Sequence, residues 1–240
     1  MTAELSAERI SRWWLDRPPI RTVEQAELFL NSVHFTQLFG KDGRYPSLRE
    51  VSRDDGCERT PDGWGADLEA MWSWKDELPV RGSGWYGKLL AGKPSLLSAR
   101  LLADLYDHPG EPDDFESVPG LGPASRAVAQ YLLVAGPTST ARLRAQTCGG
   151  SAAQLTTART ELGRSLLITH HGVEESRSGW PSCVLDLTSR VFGGLGTRSR
   201  SDRDHAAAAT FLDTMVTATP RELARAFRWP IDRATAALSA

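Results

Sequence analysis

The sequence lacks any run approaching the ~18 consecutive apolar residues that a membrane-spanning helix needs. Its first residues, MTAELSAERISRWWLDRPP, are charged and amphipathic where a signal peptide has an apolar centre, so the expected location is cytoplasmic. Cysteine is scarce: Cys57, Cys148 and Cys183 lie far apart, an odd number with no CxxC pair, which gives little support to a disulfide framework or a structural zinc site. Only four of the 28 basic residues are lysine (Lys41, Lys75, Lys88, Lys93), a bias attributable to GC-rich coding before selection for phosphate binding. The five histidines show no HExxH or other ligand spacing: His108 falls in a loop, His170 and His171 at a hairpin edge, and His205 at a helix start. Neither a metal nor a cofactor is expected. There is also no GxSxG elbow and no P-loop, so the common hydrolase and phosphoryl-transfer readings lack support, and a dinucleotide site is not expected.

What is present is a globular chain of 240 residues, 40% hydrophobic, with a formal charge of -2. That average conceals a split, because residues 1 to 119 hold 14 basic and 21 acidic side chains whereas the remainder is mildly basic. The asymmetry permits a polyanionic partner for the second half without requiring one.

The clearest boundary is the proline-, glycine- and acid-rich stretch from Asp107 to Pro123, which reads as a linker. The division is into residues 1–117, a helical region with a candidate pocket; 118–187, a winged helix-turn-helix; and 188–240, a second helix-turn-helix module without a full wing. In the first region Thr22 and Gln25 form a capping-box pattern ahead of Val23, Ala26, Phe29, Leu30 and Val33 at helical spacing. Further helices are expected from Ala66 to Glu77, ended by Pro79, and from Pro94 to Tyr106.

In the second region, helices from Ser125 to Val134, after Thr138-Ser-Thr140, and after Ser151 precede two strands, Leu166–Thr169 and Ser182–Leu187, joined by His170 to Pro181. That order is the winged helix-turn-helix. A second copy is expected about 80 positions later: a helix from Asp202 to Val216, a capped helix at Thr219-Pro-Arg-Glu222, and Ile231, Ala234 and Leu238 standing where Leu155, Ala158 and Leu162 stand, with the chain ending before a second wing. The expected fold is therefore mainly α with small β-hairpin wings: tandem winged helix-turn-helix modules after an irregular helical N-terminal region.

If the third helices entered a major groove, their polar faces would carry Thr156, Thr157, Thr160 and Arg164 in the first module and Arg228, Asp232 and Arg233 in the second, with Arg142 and Arg144 nearby. None of these is an arrangement that reads bases well, and Glu174-Glu175 in the wing would repel phosphate. Val118-Pro-Gly-Leu-Gly122 has the look of a helix-hairpin-helix phosphate loop, but a linker ending in a capped helix explains it with fewer assumptions. Aromatic and charged residues cluster at Met71–Pro79 and Gly84–Lys88, where Trp72, Trp74, Lys75, Trp85, Tyr86 and Lys88 can form a stacking pocket with Asp76 as general base or charge stabiliser. The competing explanation is that Trp72 and Trp74 are core and rim residues.

The pattern Tyr131-Leu-Leu, Gly136-Pro-Thr-Ser-Thr140, Leu143-Arg144, then Leu162-Gly-Arg-Ser-Leu-Leu-Ile168, then Gly179-Trp180 resembles the AlkZ/YcaQ-type winged-helix proteins. Upstream, Trp74-Lys-Asp-Glu-Leu-Pro79 resembles a Trp-x-x-x-x-Leu-Pro stretch of the same group. The resemblance implies a metal-free DNA glycosylase that excises alkylated bases and opens crosslinks left by natural-product alkylators. Such enzymes carry a Gln-apolar-Asp or Gln-apolar-Gln motif. Here Gln37-Leu38 is followed by Phe39, which can neither accept a proton nor stabilise a sugar cation, leaving His34 and Asn31 as substitutes. The catalytic candidates are thus Asp76, His34 and Gln37, with Asn31 added to the pocket.

Three functions compete. One is a DNA-binding protein of the alkylation-damage or self-resistance type, with or without glycosylase activity since the Gln-apolar-Asp/Gln motif is not intact; another is an enzyme or binder for a small natural-product intermediate on a winged-helix scaffold. The third is an interaction protein whose last module docks a protein partner or a second copy.

Overall fold

The computed structural model describes residues 6–40, 42–61, 63–175 and 181–239. Gly179 and Trp180, which contribute to the resemblance above, lie outside the described residues. In chain order the first part comprises α1 (Ala7–Arg12), α2 (Val23–Val33), β1 (Phe35–Gln37), α3 (Leu48–Ser52), α4 (Ala66–Val80), β2 (Gly84–Lys88), β3 (Pro94–Ser98) and α5 (Ala99–Leu105). Next come α6 (Pro123–Ala135), β4 (Thr138–Ser139), α7 (Thr140–Thr147), α8 (Ala152–Arg164), β5 (Ile168–Glu174) and β6 (Ser182–Leu187). The last part holds α9 (Thr188–Val191), α10 (Arg200–Met215), α11 (Pro220–Phe227) and α12 (Ile231–Leu238). The protein is mainly helical with two small antiparallel sheets, ordered β1-β3-β2 and β4-β6-β5. No helix among the described residues is long and apolar enough to cross a membrane.

Helix starts follow the sequence closely, because capping is local. Thr22 and Gln25 cap α2 reciprocally, as do Thr219 and Glu222 at α11, and the Ser151 hydroxyl accepts from the Gln154 N–H at α8. Two expectations in the first region are corrected. Residues 94–98, expected to begin a helix, form the central strand β3, and the helix is confined to α5. Pro94 occupies the first strand position, where a missing N–H is tolerated, and the run Ser95–Ser98 is buried throughout, so it shows no alternation that would mark a strand. Helix α4 also runs through Pro79 to Val80. Proline in the last turn removes one hydrogen bond, and the Arg81 N–H still closes the helix on the Glu77 carbonyl at 3.0 Å.

The buried apolar side chains form two clusters. One joins residues 118–187 into a small core around Val128, Leu132, Leu143, Leu155, Ala158, Leu162 and Leu185. The other unites the first 106 residues with α10, α11 and α12: Phe35 stacks on Phe211 with centroids 5.4 Å apart, and the Trp13 indole donates to the Thr214 carbonyl at 2.7 Å. The C-terminal helices therefore complete the N-terminal core rather than enclosing one of their own. Ile231, matched in sequence to Leu155, is 50% exposed; Ala234 and Ala237 make the buried face of α12.

The stretch 107–123 is an ordered connection, not a free linker. Asp114 is buried and accepts from the Tyr106 hydroxyl and the Gly110 N–H, both at 2.9 Å, while Phe115 enters the second core. At its end the Gly122 N–H, 3.0 Å away, and the Ser125 hydroxyl, 2.5 Å away, both donate to Glu161 of α8. A carboxylate of the chain itself thus takes the place that a helix-hairpin-helix loop would offer to phosphate. These hydrogen bonds hold Glu161 below the usual carboxylate range. Glu161→Gln weakens them to neutral bonds, with an expected loss of about 1 kcal/mol in chemical denaturation.

Candidate functional site

The two cores meet along a seam. The Trp85 indole, wholly buried in β2, donates to the Ile168 carbonyl of β5 at 3.0 Å, and the Tyr86 N–H donates to Thr169 Oγ1 at 3.2 Å. Helix α4 packs across β5 beside this joint. A cavity of about 530 Å³ opens there, walled by α4 and β2 on one side and by α8, β5 and β6 on the other.

Helical spacing places Trp72, Lys75 and Asp76 on the face of α4 that lines the cavity. Lys75 and Asp76 are both buried and form an ion pair; the ammonium also lies 4.4 Å from the Trp72 ring centre. From β5, Ile168, Thr169 and His170 reach the cavity. A register shift between His170 and Val173 then changes the strand's phase, so that Val173 lines it too. From β6, Cys183 and Leu185, two apart on one face, complete that wall.

At the floor, His170 Nδ1 lies 2.9 Å from Asp76 Oδ1, and the Cys183 sulfur lies 3.1 Å from Nδ1 and 3.3 Å from Nε2 of the same ring. The Tyr86 ring meets the imidazole edge-on at 4.5 Å. Burial lowers the His170 pKa, and the bond to Asp76 opposes this only in part, so the ring is neutral near pH 7. The same burial pushes the Cys183 thiol up to about 12 and raises the Tyr86 hydroxyl. The floor therefore sets the Lys75–Asp76 salt bridge beside a neutral imidazole and a neutral thiol.

Of the residues singled out in the sequence, Asp76, Lys75, Trp72, Tyr86 and Lys88 come together here. Trp74 and Trp85 do not: both are core residues, as the alternative explanation of the tryptophans holds for Trp74. His34 is the left-handed cap of α2, with Nδ1 3.1 Å from the Ser98 hydroxyl, and burial lowers its pKa. Gln37 is buried in β1 paired with Ser95, and Asn31 is exposed on α2, so none of these three lines the cavity that holds Asp76. Phe39 packs its ring 6.0 Å from that of Trp72.

The expected DNA-facing residues are also distributed differently. Thr160 lines the cavity together with Thr156 and Arg159, so part of the polar face of α8 turns toward α4 and β2 instead of an open groove. Thr157, Arg144, Arg164 and Arg228 are exposed, and Arg142 Nε donates to the Tyr131 hydroxyl at 3.1 Å. Arg233 is committed elsewhere, paired with Asp107 and Asp204 and stacked 4.2 Å from the Trp229 ring centre.

His170 and Cys183 are the functional candidates that sequence reasoning missed. Gly82, Gly84 and Gly87 have the GxGxxG spacing of a dinucleotide loop, yet they lead into and along β2 rather than opening a helix. Packing explains two of them: a Cβ on Gly84 would approach Leu30 at 2.8 Å, and one on Gly87 would strike the Trp85 ring at 2.2 Å.

A mainly helical protein with an aromatic-walled cavity and a buried carboxylate at its floor is the class that this geometry defines. The family model described as AlkZ related matches residues 20–228, and the chain belongs to the AlkZ-related family. No curated protein and no solved structure matches it.

Proposed function

We propose that the cavity receives an extruded, alkylated nucleobase from DNA and that the protein hydrolyses its N-glycosidic bond. The observation that carries this reading is the presence of Trp72 and Tyr86 beside the buried Lys75–Asp76–His170 set in one cavity. The aromatic rings supply stacking surface for a planar base. Asp76 stabilises positive charge on the sugar as the base departs, and neutral His170 accepts a proton from the attacking water. Membership in the AlkZ-related family supports the reaction class, although the carboxylate comes from α4 and not from the Gln37 stretch.

Residues 118–187 follow the order helix, strand, helix, helix, strand, strand, with the β4-β6-β5 sheet folded over their own core, which supports reading them as a winged helix. With part of the α8 polar face turned to the cavity, DNA is held through its backbone by exposed cations, Lys88, Arg144 and Arg164 among them, and binding weakens steeply with salt.

The same orientation of α8 favours a second reading, a free planar metabolite as the occupant of the cavity. One experiment separates the two. Duplex DNA methylated with dimethyl sulfate is incubated with the protein at low salt, and liberated purines are quantified by mass spectrometry. Release of methylated purine above the spontaneous background is the expected result. No release together with no duplex binding contradicts the glycosylase reading, and saturable binding of free 3-methyladenine in that case favours the second.

A further inference from the structure

We propose that Arg159 is the phosphate anchor of the cavity, so that the site takes a methylated nucleotide in preference to a bare base. The inference rests on the seating of a planar base against Trp72 and Tyr86, and it names the second group that such a ligand carries. Arg159 stands on α8, across the cavity from the α4 and β2 wall that holds the two rings. A base stacked on one wall therefore has a cation facing it from the other.

What marks Arg159 is its want of a partner. Among the described residues it forms no hydrogen bond, ion pair or ring contact, whereas Arg12, Arg49 and Arg233, likewise half-buried, each pair with a carboxylate. A guanidinium carries five N–H donors in a planar fork that matches the oxygens of a phosphate. Its neighbours cannot take that part. Thr156 and Thr160 share the cavity-lining face of α8, but their hydroxyls donate to the Ala152 and Thr156 carbonyls at 2.9 and 2.8 Å. Gly163, one turn further on, leaves open space where a side chain would stand.

The charge balance of the walls agrees. Lys75 and Asp76 pair with each other, which leaves Lys88 and Arg159 against the exposed Glu69, a positive surplus. The Arg159 charge also reaches the floor. Burial is the main cause that raises the Cys183 thiol and lowers the His170 ring; Arg159 opposes the first and adds to the second, in both cases more strongly than Lys75 does. At about 530 Å³ the cavity lies in the range of pockets that enclose a whole small ligand, so a base with its sugar and phosphate is of suitable size. A diester in a DNA strand and a free monophosphate offer the same oxygens to the fork.

The test compares 7-methylguanosine with 7-methylguanosine 5′-monophosphate, which differ only in the phosphate, by isothermal titration of the full-length protein at low salt. The parent protein should bind the monophosphate at least about 10-fold more tightly, the scale of one charge-assisted contact. Arg159→Gln should bring the two ligands to within about 2-fold of each other with nucleoside affinity unchanged. Arg159→Lys, which keeps the charge and loses the fork, should retain only part of the preference. Arg221→Gln, a charge loss on the exposed side of α11, should leave it intact. Circular dichroism checks folding, and if Arg159→Gln is unfolded, a preference undiminished in Arg159→Lys counts against the anchor. Equal affinity for the two ligands in the parent protein, binding of neither, or a preference that survives Arg159→Gln overturns the proposal. Base release from methylated duplex then tells the source of the phosphate. A KM raised about 10-fold in Arg159→Gln, with kcat within a few-fold, assigns it to the strand. A nucleotide preference without base release assigns it to a free nucleotide and contradicts the glycosylase reading alone.

Discussion

Asp76→Asn should release base from methylated DNA at least about 100-fold more slowly than the parent protein, the scale expected when a positioned charged group is lost from a water-poor site. The substitution keeps the shape of the side chain, and the amide oxygen can still accept from Lys75 or His170, whose bonds to the carboxylate are seen in the structure. What disappears is the negative charge. Lys75 then lies buried without a counter-ion, so some stability is lost as well, and the comparison is made at a temperature where circular dichroism shows both proteins folded. Activity within a few-fold of the parent would remove Asp76 from the site and the proposed mechanism with it.

The largest expected effect on stability lies two and a half turns earlier in the same helix. Asp67 has a side chain only 1% exposed and accepts from Arg59 at 2.5 and 2.7 Å, from Arg49 at 3.1 Å, and from the Asp54 and Leu68 N–H groups at 2.9 and 2.7 Å. Burial works against its charge, but Arg59, the Asp54 N–H and Arg49 outweigh it and hold the carboxyl well below the usual range. Asp67→Ala removes the acceptor that Arg59, Arg49 and the Asp54 N–H share and frees the loop that leads into α4, with an expected loss of about 2–3 kcal/mol, discounted because both guanidinium groups reach solvent. A shift in the urea midpoint measures it, and a loss below about 1 kcal/mol would mean that the pairing is not maintained in solution. The pH dependence follows from the same group. Its folded pKa is depressed, so its contribution is fully present above the ordinary value of 3.8 and declines as the pH falls below it. In Asp67→Ala the stability profile below pH 4 should be correspondingly flatter.

How much of this was legible in the sequence depended on how local each determinant is. The capping boxes at Thr22 and Thr219 and the buried triplet Leu155, Ala158 and Leu162 were readable because each lies within a few turns of one helix. The aromatic and charged content of α4 likewise pointed to Trp72, Lys75 and Asp76. Strand β3 was not readable: it is buried on both faces between β1 and β2, and a short apolar run of that kind carries no period to set it apart from a helix. Ile231 was misassigned because the last helix is matched to a surface supplied by residues far away, where small Ala234 and Ala237 fit.

The histidine and cysteine at the cavity floor were hidden for a different reason. Their positions depend on the pairing of β5 with β6, on the register shift after His170, and on the seam fixed by Trp85 and Thr169. No nearby residue encodes that arrangement. A histidine pair entering a hairpin looks like an exposed edge until α4 is known to cover it. The Gln37 stretch misleads in the opposite direction, since its position along the chain suggests catalysis while its side chain lies buried in a strand away from the cavity.

A crystal structure of the protein grown with 3-methyladenine is the most direct measurement. The expected result is the purine ring against Trp72 and Tyr86, with its sugar-bearing edge toward Asp76. Density for the base at any other place on the protein, with this cavity holding solvent alone, would contradict it.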